Sequence, residues 1–241
     1  MTEKKMVVSF ADGVGHYAKA LMRLELSLKK VGYGGEFEIF KGINDYSHIE
    51  SPFHKGSPDA VPYAFKAHSI NKAIQEGARY ILWCDSVIYA TKSIEPVFNH
   101  IKEHGYLLFD NLGFSIGDYT SDACLNKFGM TRDEAFNSKM IMACVMGFDI
   151  EHPTAKEFLN KYINAASDGV SYQGDWTNEN LQVSNDIRVS GHRHDQSVAS
   201  VLAKQLGMTI TNAQQTYFAY VEHKGKVPIA DTVCLWSGGI F

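Results

Sequence analysis

The chain has 241 residues, 45% hydrophobic and 21% charged, a globular balance that excludes disordered and fibrous classes. Lysine plus arginine total 23 against 27 aspartates and glutamates, giving a net charge of −4 with no basic run, which argues against a nucleic-acid-binding protein. No stretch approaches the ~20 apolar residues of a membrane helix, and the length suits one α/β domain spanning 1–241.

The N-terminus runs into a strand without the apolar region of a signal peptide. The apolar run 6–10 predicts that first strand, followed by Ala11-Asp12-Gly13-Val14-Gly15. Tyr17, Leu21, Leu24, Leu28 and Val31 recur at spacings of three and four and predict one buried helix face, stopped by Gly32 and the Gly34-Gly35 pair. A short strand at 36–40 completes a β–α–β unit. The polar stretch 44–62 is long for a loop in a compact domain, which marks it as functional or mobile.

A helix at 63–76 is expected to turn Ala67, Ile70 and Ile74 inward. The run 80–84 reads as a fully buried strand ending in Asp85-Ser86. Ser93 is expected to cap a helix whose Ile94, Val97, Phe98 and Ile101 share a face, with Pro96 in its first turn. Strands follow at 106–109 and 139–148, with a capping box at Thr131-Arg132-Asp133-Glu134 between them. A helix at 153–166 buries Ala155, Phe158, Leu159 and Tyr162, and 167–191 is polar loop. A helix at 196–206 and short strands at 208–211 and 216–221 complete the chain. The alternation predicts a doubly wound α/β sheet, mostly parallel and flanked by helices, with an antiparallel strand late in the chain.

Cys84, Cys124, Cys144 and Cys234 form no C-x-x-C pair. Cys84 and Cys144 read as buried small hydrophobes, and a reducing cytoplasmic setting is expected.

Ligands of open α/β sheets bind at the carboxyl ends of strands. Four polar clusters fall at strand ends or in late loops: Asp12, Asp85-Ser86, the run from Gly191 to Gln196, and His223-Lys224-Gly225-Lys226. Asp85 reads either as a carboxylate for a ribose hydroxyl or divalent metal, or as a turn residue. Asp195 follows His192 and His194; the three could ligate the metal of a hydrolase. The further His and acidic partners of such a site are not clearly spaced, and the plainer reading makes Asp195 a helix N-cap, a role compatible with a catalytic base. In the basic turn, Gly225 allows close approach of a ligand, Lys226 supplies a point charge for phosphate and His223 a metal ligand. The competing reading is a solvated hairpin. Gly13-x-Gly15 lacks the third glycine of a dinucleotide fingerprint.

In their order and spacing these parts resemble the GT-A glycosyltransferases, nearest the family-8-like enzymes of the galactosyltransferase and glycogenin type. The matching segments are Ser9-Phe10-Ala11-Asp12 with Tyr17, Lys66, Tyr80 to Ser86, Met146-Gly147-Phe148, His194-Asp195-Gln196 and His223-x-Gly225-Lys226. The resemblance implies a GT-A-like fold with a nucleotide-binding half at about 1–110 and an acceptor-side half at about 111–241. It implies sugar transfer from a nucleoside-diphosphate donor, UDP preferred, to a hydroxyl of a glycan, lipid or protein.

It also assigns residues. Phe10, Ala11, Asp12, Tyr17, Lys66, Asp85, Ser86 and Lys226 would hold the donor, and Arg193, His194 and Gly147 the acceptor or sugar. Asp195 would act as base, and Asp85 with His223 would ligate Mn²⁺ or Mg²⁺. One departure stands out: the family's D-x-D motif reads Asp85-Ser86-Val87 here, and valine cannot ligate a metal. The alternatives are ion binding through Asp85, His223, diphosphate and water, or neutralisation of the leaving group by Lys226, Lys66 or Arg193. A catalytically inactive nucleotide-sugar-binding or glycan-binding module is the further alternative beside the hydrolase.

Overall fold

The computed structural model describes residues 3–11, 15–41 and 61–238, with backbone alone at 39–41. Asp12 and most of the 44–62 stretch lie outside them. A five-stranded sheet forms the centre, in the order β2-β1-β3-β6-β5. Its strands are β1 (Lys5–Ala11), β2 (Glu36–Lys41), β3 (Tyr80–Cys84), β5 (Tyr106–Ser115) and β6 (Lys139–Asp149). β1 pairs in parallel with β2 and β3, while β6 runs antiparallel to both β3 and β5. The sheet is therefore mixed and mostly parallel, with β6, in mid-chain, as its antiparallel strand.

Alternating strand residues feed two cores, as the period-2 geometry of a strand requires. Met6, Val8, Ile81, Trp83 and Phe148 pack on one face with α2 (Ala64–Gln75), α6 (Pro153–Ala165) and α7 (Asp195–Gln205). Val7, Tyr80, Leu82 and Cys84 pack on the other with α1 (Gly15–Lys30) and α3 (Glu95–His104). Thr131 and Glu134 form the reciprocal capping box of α5 (Arg132–Phe136).

A second, three-stranded sheet in the order β4-β8-β7 combines β4 (Ile88–Ala90), β7 (Phe218–Tyr220) and β8 (Leu235–Ser237). Neither β4, β8 nor α4 (Asp122–Phe128) was expected, because segments of three to seven residues carry too little periodicity to be read. Three local expectations change. Tyr17 leaves the buried face of α1 and stands 53% exposed in its first turn. Ile94, not Ser93, is the N-cap of α3; the Ser93 hydroxyl accepts from Glu95 N instead. The 208–211 segment forms a single bridge, Thr211 to Phe109, rather than a strand. Among the described residues no helix is long and apolar enough to cross a membrane.

Candidate active site

The last residue of β3, Cys84, pairs with Val145 of β6, and Asp85 N then donates to Cys144 O at 2.8 Å. This extra rung holds Asp85 at the sheet's edge, before a turn closed by Ile88 N to Asp85 O. Trp83 Nε1 donates to Asp85 Oδ1 at 2.8 Å and fixes the carboxylate. Asp85 keeps a 31% exposed side chain.

Lys66 comes from the first turn of α2 and Asp195 is the first residue of α7. Lys66 Nζ donates to Ala143 O at 2.9 Å and pairs with Asp195 Oδ2 at 2.8 Å and Asp85 Oδ1 at 3.2 Å. The side chains of Lys66 and Asp195 are each only 4% exposed. Lys66 is thus an internal counter-ion for two carboxylates, with its one hydrogen bond to a main-chain oxygen.

Burial disfavours a charged Lys66, but Asp195 and Asp85 outweigh it and raise its pKa. Burial pushes the Asp195 carboxyl up to about 6, with Lys66 opposing and Asp85 adding to the rise. The cluster couples one permanent cation to one carboxylate that titrates near neutrality, an arrangement concentrated at functional sites.

His194, not Asp195, holds the N-cap position of α7, and its side chain makes no capping bond. Its backbone, at φ 48 and ψ −112, lies where residues other than glycine are strained. Asp195 is freed from capping and turned to Lys66. His192 is fully buried: Nδ1 accepts from Ser121 N and Nε2 donates to Ser171 O. Burial lowers its pKa to about 3, so it is neutral. With both ring nitrogens committed, His192 does not ligate, and the hydrolase reading loses its first ligand. His194 Nδ1 donates to Tyr172 O at 2.9 Å, and its ring stacks on Tyr63.

Phe10 is core, stacked on Phe65 at 4.6 Å, and Ala11 is buried beside it. They define the end of β1 through backbone rather than side chains. Ser86 is buried in the turn after Asp85. Gly147 does not face the site. It lies in β6 against Ile101 and Leu107, where an added Cβ would stand 2.5 Å from Ile101 Cδ1. Packing alone accounts for this glycine.

Tyr220 connects the basic turn to Asp85. Its hydroxyl reaches Met142 Sδ at 3.4 Å and Cys144 Sγ at 3.9 Å, and Cys144 O accepts from Asp85 N. The His223 ring lies 5.6 Å from that of Tyr220, with Nδ1 against the Gln214 amide. Lys226 is exposed and, among the described residues, forms no ion pair.

Among the described residues no group of three His, Cys, Asp or Glu side chains could hold a metal. Asp85 Oδ1 already faces an ammonium and an indole N–H, and His223 faces Gln214. This donor set does not fit an ion held by protein ligands.

Tyr63, Trp83, Trp176 and Tyr220 were not read as site residues. Their one local signal was a lone tryptophan in a polar loop, Trp176.

No protein-family model and no curated protein sequence matches the chain. Solved structures do. One is a glycosyltransferase involved in the glycosylation of the major capsid of PBCV-1, at 14% identity and a TM-score of 0.54, covering 97% of this chain and 93% of that one. Another is mouse xyloside xylosyltransferase 1 in its apo form, at 9% identity and a TM-score of 0.51, covering 98% of this chain and 97% of that one. The chain has the GT-A-like fold of these glycosyltransferases over nearly its whole length.

Proposed function

We propose that the chain is a glycosyltransferase moving a sugar from a nucleoside diphosphate, UDP preferred, to a hydroxyl of a glycan-type acceptor. The observation that carries this reading is the Lys66–Asp85–Asp195 cluster at the β3 and α7 ends of a glycosyltransferase fold. Both halves of the chain contribute to it: Lys66 and Asp85 from the donor half, Asp195 from the acceptor half.

In the reaction the acceptor oxygen bonds to the anomeric carbon as the bond from that carbon to the diphosphate oxygen breaks. The electron pair leaves with the nucleoside diphosphate. Asp195 takes the acceptor's proton, which a carboxylate with a pKa of about 6 does near neutral pH. Lys66 keeps Asp195 ionised and aimed, and Asp85 meets the donor at the strand end. The exposed Lys226 faces the charge that develops on the leaving diphosphate; one such contact is worth on the order of 2.7–4 kcal/mol of barrier. His223 positions that turn through Gln214. No step is assigned to a divalent ion.

The test is release of the nucleotide (UDP, GDP or CMP) from UDP-, GDP- and CMP-linked sugars, each with and without Mn²⁺. UDP release that depends on an added saccharide supports the reading. Stabilisation by UDP without release from any donor would favour a binding module.

A further inference from the structure

An aromatic ladder leads outward from the Lys66–Asp195 pair. The Tyr63 ring lies 5.9 Å from Lys66 Nζ, and it stacks on the His194 ring at 5.4 Å and on Trp176 at 5.9 Å. Arg193 then sits between Trp176 and Tyr119, its guanidinium carbon 4.0 Å from each ring centroid. Tyr63 enters α2 in the left-handed region, at φ 59, where a bulky residue is strained. Trp176, by contrast, is 49% exposed, although full burial of its ring would be favourable.

The loop carrying Trp176 is held firmly. Arg193 Nη1 donates to Trp176 O at 2.5 Å, His192 N to Asp175 O at 2.8 Å and Asn178 N to Ser190 O at 3.0 Å. Gly191 lets the two strands of the loop touch, since a Cβ there would lie 2.0 Å from Trp176 O. Among the described residues Arg193 has no carboxylate partner. A half-exposed indole, rigidly presented beside a cation with free donors, is the chemistry of a ligand with one apolar face and a polar rim.

We infer that Trp176, with Tyr63 and Arg193, is a subsite for a pyranose ring of the acceptor. The part of the indole that Arg193 and Tyr63 leave exposed takes the C–H groups of one sugar face, and Arg193 donates to hydroxyl oxygens at its rim. This rests on the transferase reading: the Trp176 ring lies 5.6 Å from that of His194, the residue before Asp195.

The test is saturation-transfer NMR of the full chain with methyl glucoside, galactoside, mannoside and xyloside in both anomers, lactose and maltotriose. At least one saccharide is expected to receive saturation mainly on the C–H protons of one ring face. W176A is expected to lose that signal and W176F to keep part of it. Absence of any Trp176-dependent signal would overturn the subsite. So would an equal loss of UDP and saccharide binding in W176A, which would place a nucleobase on the platform. A Trp176-dependent saccharide signal without sugar transfer from any nucleotide donor would overturn the transferase reading instead and leave the subsite standing.

Discussion

Lys66 Nζ and Asp195 Oδ2 meet at 2.8 Å with both side chains almost completely withdrawn from solvent. A second carboxylate, Asp85, lies 3.2 Å from the same ammonium. A buried charge without a partner is costly, so each member of this cluster depends on the others. The balance is uneven, with one cation and two carboxylates, and burial leaves the Asp195 carboxyl near a pKa of about 6.

Activity and stability are expected to move oppositely with pH. Asp195 acts as base only when ionised, so kcat/KM should rise with pH along a limb near 6. Its folded pKa is above the ordinary value of 3.8, so the native state binds the proton more tightly. That contribution to stability is complete below about 4 and is lost as pH rises through about 6. Both trends should vanish in D195N, as read by pH–rate profiles and by urea unfolding across pH 4–7.

Asp195→Asn keeps an oxygen facing Lys66 and leaves Asp85 paired with it. Turnover should fall about 10²–10⁴-fold, with UDP affinity unchanged by calorimetry. An equal loss of affinity and turnover would make Asp195 a donor-binding group.

Lys66→Met removes the cation between two carboxylates. The variant should lose about 3–5 kcal/mol of stability in urea unfolding. Its activity limb should move to higher pH, because the group that lowers the Asp195 pKa is gone. The double variant K66M/D195N should recover part of the stability and none of the activity.

Lys226→Ala should weaken UDP binding roughly tenfold while leaving uridine binding unchanged, because an exposed lysine acts on phosphate as a point charge. The difference should shrink in high salt. Equal weakening for both ligands would remove the phosphate role.

Gly147→Ala should act through packing. The new methyl meets Ile101 and Leu107, at a cost of about 1–3 kcal/mol. Adding I101V should restore stability, read by the unfolding midpoint. Lowered activity at unchanged stability would return Gly147 to the sugar site.

β3 and β6 were legible as unbroken apolar runs and α6 by its spacing, while the short α5 showed only through its capping box. Strands of three residues, such as β4 and β8, are stabilised by tertiary pairing alone and leave no local pattern. Asp85 stands out in the sequence because it breaks an apolar run and Asp195 because of its polar neighbours, whereas Lys66 enters only through the resemblance. Their roles needed geometry, since a lysine in α2 and carboxylates at positions 85 and 195 share no local spacing. Gly147 was ambiguous because a glycine in a strand reads alike for ligand approach and for tight packing. His192 misled because a polar run does not show which members face inward.

The most direct measurement of the central claim is nucleoside diphosphate release from UDP-sugars with a saccharide acceptor, in the native chain and in D195N side by side. The account predicts acceptor-dependent UDP release by the native chain, reduced about 10²–10⁴-fold in D195N at equal UDP affinity. Acceptor-dependent release that is undiminished in D195N would contradict the role of Asp195, and no release from any nucleotide-sugar would contradict the transferase itself.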